Sequence, residues 1–189
     1  MSRSSHFAVI DTETNWHDEV MSIGIVIADS VNFKPIGAKY YLLDPEYRSG
    51  GMYSNVLQVQ GHSVDMCDSR KAVMANLVQG LKACSVKGIF AYNAKFDYGH
   101  LPELKGFQWY DIMRLAAYRQ YNHAIPENAD CCKTGRLKRE YGVEPIMRLL
   151  SGKRSYCEIH NAVCDAIDEL ELMRLLRHPL DVYECAKIN

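Results

Sequence analysis

Short apolar runs rich in β-branched and aromatic residues alternate with turn-forming stretches through the first half of the chain. Residues 7–10 form one run, 22–28 (Ser-Ile-Gly-Ile-Val-Ile-Ala) a second, and 39–43 (Lys-Tyr-Tyr-Leu-Leu) a third. This composition and spacing predict three strands joined antiparallel. The glycine-containing stretch at 49–54 and the polar residues 58–70 read as an extended loop. From 69 to 82 the apolar positions Ala72, Val73, Leu77, Val78 and Leu81 follow a helical period. A fourth strand is predicted at 88–92, with a short helix from about Lys95. A fifth strand, 108–111, runs into a helix through Tyr118. Residues 122–135 read as loop, with a helix over 136–141 beyond Gly135. The last helix is expected from about Ile159 to Leu176, with apolar positions 159, 163, 166, 170 and 173 in one stripe and Pro179 beyond its end.

Three antiparallel strands followed by strand–helix alternation predict an α/β fold: a mixed sheet of five strands with helices on its faces. At 189 residues the chain is long enough for one substantial core. The expectation is a single domain over 1–189, with its core at about 7–176. No apolar run is long enough to span a bilayer, and the start, Met1-Ser-Arg-Ser-Ser-His6, lacks the apolar stretch of a secretory signal. The seven cysteines are an odd number and scattered. They predict reduced thiols in the cytoplasm, mostly as small core residues, rather than a disulfide framework or a zinc quartet.

A net charge of −1 argues against binding nucleic acid through a broad basic surface. Charge is uneven, however. Between Lys133 and Arg154 seven basic residues face only Glu140 and Glu144, a local charge of +5. Such a flank suits a polyanion, although for any one of these side chains a solvated helix face or loop is the plainer reading.

The candidate chemistry lies in carboxylates and one histidine. Asp11 and Glu13 fall in Phe7-Ala-Val-Ile-Asp-Thr-Glu-Thr14, Asp97 in Ala91-Tyr-Asn-Ala-Lys-Phe-Asp97, and His160 and Asp165 in His160-Asn-Ala-Val-Cys-Asp-Ala166. Each has a plainer reading alone. Asp-x-Glu occurs again at Asp44-Pro-Glu46, a turn after the third strand, and His-x4-Asp again at His6 and Asp11. Asp97 alone reads as charge pairing at a helix terminus. Context changes the weight. Asp11 ends an apolar strand, where an isolated charge is expensive, and Glu13 returns to the same face two residues later. His160 and Asp165 are five apart and converge only if His160 sits on the turn leading into the last helix. Mutually facing acids are tolerated when a hard cation lies among them, and a two-metal phosphodiesterase centre is the sharpest case.

In this order the motifs resemble the DEDDh group of 3′–5′ exonucleases, which includes proofreading exonucleases, ribonuclease T and oligoribonuclease. The likeness spans about 7–176. Its blocks are Val9-Ile-Asp-Thr-Glu-Thr14, Tyr92-Asn-Ala-Lys-Phe-Asp97 and His160-Asn-Ala-Val-Cys-Asp165, with weaker matches at Tyr110-Asp-Ile-Met-Arg-Leu115 and Leu137-Lys-Arg-Glu-Tyr-Gly142. Histidine five residues before the last aspartate, with Asn161 in the alternative tyrosine slot, points to the histidine branch. Two departures stand out. Asn15-Trp16-His17 replaces the usual glycine and apolar residue, and 46–66 matches no part of the pattern.

The resemblance implies a ribonuclease-H-like fold and two divalent cations, Mg²⁺ or Mn²⁺, held by Asp11, Glu13, Asp97 and Asp165. His160 would be the general base and nucleoside 5′-monophosphates the product. Thr12, Thr14, Trp16 and Asn93 are candidate substrate contacts, with Trp16 able to stack on a base and Asn93 better suited to bracing its loop. The expected partner is single-stranded nucleic acid or a 3′ end, DNA ahead of RNA, and relatives are commonly dimers or parts of larger assemblies. The alternatives are an exoribonuclease on short RNA or RNA ends, and a binding module that has lost turnover.

Overall fold

The computed structural model describes residues 5–189; the first four residues, which belong to the stretch read above for a secretory signal, lie outside the described residues. Strands β1 (His6–Thr14), β2 (Val20–Asp29) and β3 (Pro35–Leu43) form the expected antiparallel meander. After it come β4 (Met66–Asp68), α1 (Arg70–Ala83), β5 (Val86–Ala91), α2 (Lys95–His100), β6 (Gln108–Asp111), α3 (Met113–Ala116), α4 (Val143–Ser151) and α5 (Ala162–Leu176). The sheet order is β4-β3-β2-β1-β5-β6, with β1–β5, β5–β6 and β3–β4 parallel. Only β2 therefore runs against the other strands.

Among the described residues the sheet has six strands rather than five. The extra one, β4, pairs only Met66, Cys67 and Asp68 with Tyr41, Leu42 and Leu43. Three residues at an edge are too few for alternation to register in sequence. The helix expected over 136–141 does not form. Arg136 and Leu137 are extended and bridge to Tyr118 and Cys131, and Glu140 adopts a left-handed φ of 56°. The helical turns come later, in α4, and α3 stops at Ala116 because Tyr118 is engaged in that bridge.

Alternation along β1 sorts the core into two layers. Phe7 and Val9 face α3, α4 and α5 with Val26, Phe90, Leu170 and Met173. Ala8 and Ile10 face α1 with Ile23, Ile25, Leu77 and Trp109. Packing continues past Leu176, since Tyr183 in the 3₁₀ segment Leu180–Ala186 is fully buried and Lys187 bridges to Tyr110. Among the cysteines, the expectation of core placement fails: Cys164 alone is buried, while Cys67, Cys157 and Cys185 are exposed. No helix among the described residues is long and apolar enough to cross a membrane.

Candidate active site

Odd-numbered positions of β1 face α5, so the period that buries Phe7 and Val9 carries Asp11 and Glu13 onto the same face at the strand's end. A register shift between Glu13 and Thr14 ends the regular β1–β2 pairing there. Gly24 is the ladder partner of Asp11. A Cβ on Gly24 would lie 2.0 Å from the Ala162 carbonyl oxygen, so the start of α5 comes down on the sheet beside Asp11 because position 24 has no side chain.

Helix α5 begins one residue after Asn161, whose side chain accepts from the Cys164 amide. His160 precedes the cap with a left-handed φ of 59°, which places it on the turn that convergence with Asp165 requires. Ile159, counted above in the apolar stripe, is exposed because the helix has not yet begun. Nitrogen or carboxylate atoms of Glu13, His160 and Asp165 all lie within 4.8 Å of one another.

Asp97 enters from the first turn of α2 and is 2% exposed. The Thr12 hydroxyl, on the opposite face of β1 from Asp11, donates to Asp97 Oδ1 at 2.7 Å. Asn93 is exposed, has a φ of 59°, and donates its backbone N–H to Asp111 Oδ1 at 3.0 Å. Asp111 also accepts from the Met113 amide, so Asn93 braces the β5–α2 loop. Trp16 is 67% exposed on a turn built by the buried Asn15, whose side chain accepts from the His17 and Glu19 amides. Thr14 is half-buried, with its carbonyl against Gly51. The second copies of the motifs are structural: Asp44 pairs with Arg48 at 2.6 Å, and His6 bonds the Cys84 carbonyl through Nδ1.

Electrostatics place the acids in one field. Burial first, and then Asp97, Asp165, Glu13 and Glu158, push the Asp11 carboxyl far above the ordinary range. Burial, with Asp165 and Glu158 next, raises Glu13 to about 8. Burial raises Asp165 to about 8, aided by Glu158 and Asp168. Burial raises Asp97 to about 7 against the opposing Thr12 hydrogen bond. Asp11 Oδ2 and Asp165 Oδ1 are shut off from solvent with no hydrogen-bond partner. Buried oxygens of this kind are normally satisfied, and a repelling set of carboxylates with two orphaned oxygens fits hard divalent cations.

Three further residues of this centre escape sequence reasoning. Glu169, 2% exposed, lies one helical turn beyond Asp165 and accepts from the Tyr92 amide at 3.0 Å. Its only sequence signal is an acid four residues from Asp165, which resembles a solvated helix face. Glu158 contributes to the field on Glu13, Asp11 and Asp165. The Tyr53 ring stacks on His160, with centroids 4.2 Å apart and planes at 18°. Tyr53 belongs to the stretch 46–66, which matched no part of the family pattern.

No protein-family model matches the chain, and no curated protein matches it in sequence. Solved structures do. The nuclease domain of 3′hExo, a DEDDh family member, bound to rAMP, superposes with a TM-score of 0.66 at 13% identity, over 100% of this chain and 98% of that one. E. coli exonuclease I in its zinc-bound complex with single-stranded DNA gives 0.61 at 14% identity over 93% of this chain, which spans only 41% of the longer enzyme's length. Exonuclease X in complex with 5′ overhanging duplex DNA gives 0.55 at 15% identity, over 95% and 99% of the two chains. At these identities the likeness concerns the fold, and the six-stranded mixed sheet with its flanking helices accounts for it: the chain adopts the fold of the DEDDh-type 3′–5′ exonucleases.

Proposed function

We propose that this protein is a metal-dependent 3′–5′ exonuclease that releases nucleoside 5′-monophosphates from a single-stranded 3′ end. The observation that carries the reading is the convergence of Glu13, His160 and Asp165 beside Asp11 and Asp97, with Asp11 Oδ2 and Asp165 Oδ1 buried and unpartnered.

Asp11, Glu13, Asp97 and Asp165 would hold two divalent cations, Mg²⁺ or Mn²⁺. When bound, such ions supply Lewis-acid activation of water and stabilise charge on the departing 3′ oxygen. His160, outside the helix and near both Glu13 and Asp165, takes the proton of the attacking water. Thr12 holds Asp97 in place through its 2.7 Å hydrogen bond. The bond between phosphorus and the 3′ oxygen breaks, leaving a strand one nucleotide shorter with a free 3′ hydroxyl. Exposed Lys153 and Arg154 lie in the chain segment leading to His160, where they favour a polyanion.

DNA is the substrate we favour, because the short-RNA enzymes differ around the first motif. RNA is the second reading, and the likeness over the full chain to a nuclease domain bound to rAMP favours it. A time course on 5′-labelled single strands of DNA and RNA, with Mn²⁺ or EDTA, tests both. The expected result is a ladder shortening from the 3′ end that is stopped by EDTA and by Asp11→Ala, with the faster sugar naming the substrate. Absence of cleavage with metal present would turn the reading toward a binding module.

A further inference from the structure

The loop at 50–57 is tied down at both of its ends to the two halves of the site. On the β1 side, the Trp16 amide donates to the Gly50 carbonyl at 3.0 Å. Gly51 packs so tightly that a Cβ there would lie 2.6 Å from the Thr14 carbonyl oxygen. On the α5 side, the Asn161 amide group donates to the Val56 carbonyl at 2.7 Å and to the Tyr40 hydroxyl at 3.1 Å. The Tyr40 hydroxyl in turn donates to the Leu57 carbonyl at 2.9 Å. Asn161 is 1% exposed, so the helix cap is also the anchor of the loop. Within the loop, the Ser54 hydroxyl is bonded to both the N–H and the carbonyl of Gly51.

Between these anchors Tyr53 lays its ring flat on His160. The imidazole thus has one face covered, while a ring nitrogen lies within 4.8 Å of the Glu13 and Asp165 oxygens. His160 stands ahead of the helix cap with a left-handed φ. The Glu158 and Glu144 carboxyls lie in its field, and among the described residues no ring–backbone hydrogen bond fixes its orientation. A stacked aromatic partner contributes about 0.5–1.5 kcal/mol, enough to favour one ring orientation over its alternatives.

We propose that Tyr53 is a positioning residue for His160, its stacked ring holding the imidazole edge toward Glu13 and Asp165. The assignment rests on the general-base reading of His160 given above. The ring face does the positioning, not the hydroxyl, so phenylalanine should replace tyrosine and leucine should not.

The test measures kcat and KM on a 5′-labelled single strand with Mn²⁺ for wild type, Tyr53→Phe, Tyr53→Leu, His160→Ala and the Tyr53→Leu/His160→Ala double variant. Alongside, the His160 ring C–H signals are followed by NMR in the metal-free proteins. Tyr53→Phe should stay within about twofold of wild type. Tyr53→Leu should lose at least about tenfold in kcat at little-changed KM, the loss expected when a reacting group is misplaced. In the His160→Ala background Tyr53→Leu should cost nothing more. The His160 ring protons should move downfield in Tyr53→Leu, where the ring-current shielding is gone, and stay put in Tyr53→Phe. A raised KM with unchanged kcat would overturn the assignment by placing the ring on substrate, as would full additivity in the double variant. If wild type cleaves neither DNA nor RNA, the exonuclease reading fails, and the NMR still decides the contact: unmoved His160 signals in Tyr53→Leu would reject it.

Discussion

Gly24 sits opposite Asp11 in the β1–β2 ladder, and its missing side chain is the space into which the backbone of Ala162 descends. The approach is close on three atoms: a Cβ would lie 2.0, 2.1 and 2.2 Å from the Ala162 oxygen, the Ala162 carbon and the Val163 nitrogen. All three belong to backbone, so no side chain can swing aside to relieve the clash. The first acid and the helix carrying the last acid are therefore brought together by a glycine.

Gly24→Ala should lift the start of α5 off the sheet. Overpacking of a tight interior costs about 1–3 kcal/mol, and this clash belongs at the upper end. Urea unfolding should show the loss as a lower midpoint at unchanged slope. Activity should fall further than stability alone explains, because Asp165 and His160 move with the helix. A variant with normal midpoint and normal turnover would contradict the packing argument.

The proposed metal centre makes a separable prediction for its members. Asp11→Ala or Asp165→Ala should abolish turnover and remove most of the thermal stabilisation that Mn²⁺ confers on the wild type, since binding to the native state raises its melting temperature. His160→Ala should cut turnover heavily while keeping most of the Mn²⁺-induced shift. The His160 ring nitrogen lies close enough to Glu13 and Asp165 to share an ion with them. Loss of the Mn²⁺ shift in His160→Ala would therefore make the histidine a ligand instead of the base.

Part of this arrangement is legible along the chain because local spacing carries it. The alternation that buries Phe7 and Val9 continues unchanged to Asp11 and Glu13, and the five-residue spacing of His160 and Asp165 lets the two meet only if His160 stands on a turn. Other parts leave no such trace. Arg136 and Leu137 have helix-compatible side chains, yet their backbones pair with Tyr118 and Cys131, a long-range choice invisible locally. Strand β4 is three residues long and borrows its register from β3. Gly24 looks like a weak point in a strand, and only the packed helix explains it. Tyr53 stands in a loop with no period, and its position depends on Asn161, 108 residues away.

The raised carboxyl groups predict an unusual pH dependence in the absence of metal. Burial holds Glu13 and Asp165 up at about 8 and Asp97 at about 7, against unfolded values near 4. Between those limits the native state binds more protons than the unfolded chain, so stability falls as pH rises. In EDTA the melting temperature should therefore decline from pH 5 to pH 8.5. With Mn²⁺ present the decline should be reduced or reversed, because the cation replaces the protons. Melts in the two conditions across that range check the sign, and a metal-free protein that is more stable at pH 8.5 than at pH 5 would contradict it.

Glu169 sharpens the same argument at a single residue. It is buried beside Asp11, Asp97 and Asp165, and desolvation first, then those neighbours, hold its carboxyl well above the ordinary range. One of its oxygens is nonetheless needed, because it accepts from the Tyr92 amide. Glu169→Gln keeps an acceptor and nearly the same volume while removing a charge the cluster resists. The metal-free variant should match wild type near pH 5 and exceed it in melting temperature at pH 8.5. Glu169→Leu removes the acceptor as well, leaving the Tyr92 amide unpaired at a cost of about 1–3 kcal/mol. It should melt below wild type at pH 5, where the charge of Glu169 plays no part. If glutamine proves as damaging as leucine at pH 5, the hydrogen bond depends on the carboxyl itself, and the charge-relief argument is wrong.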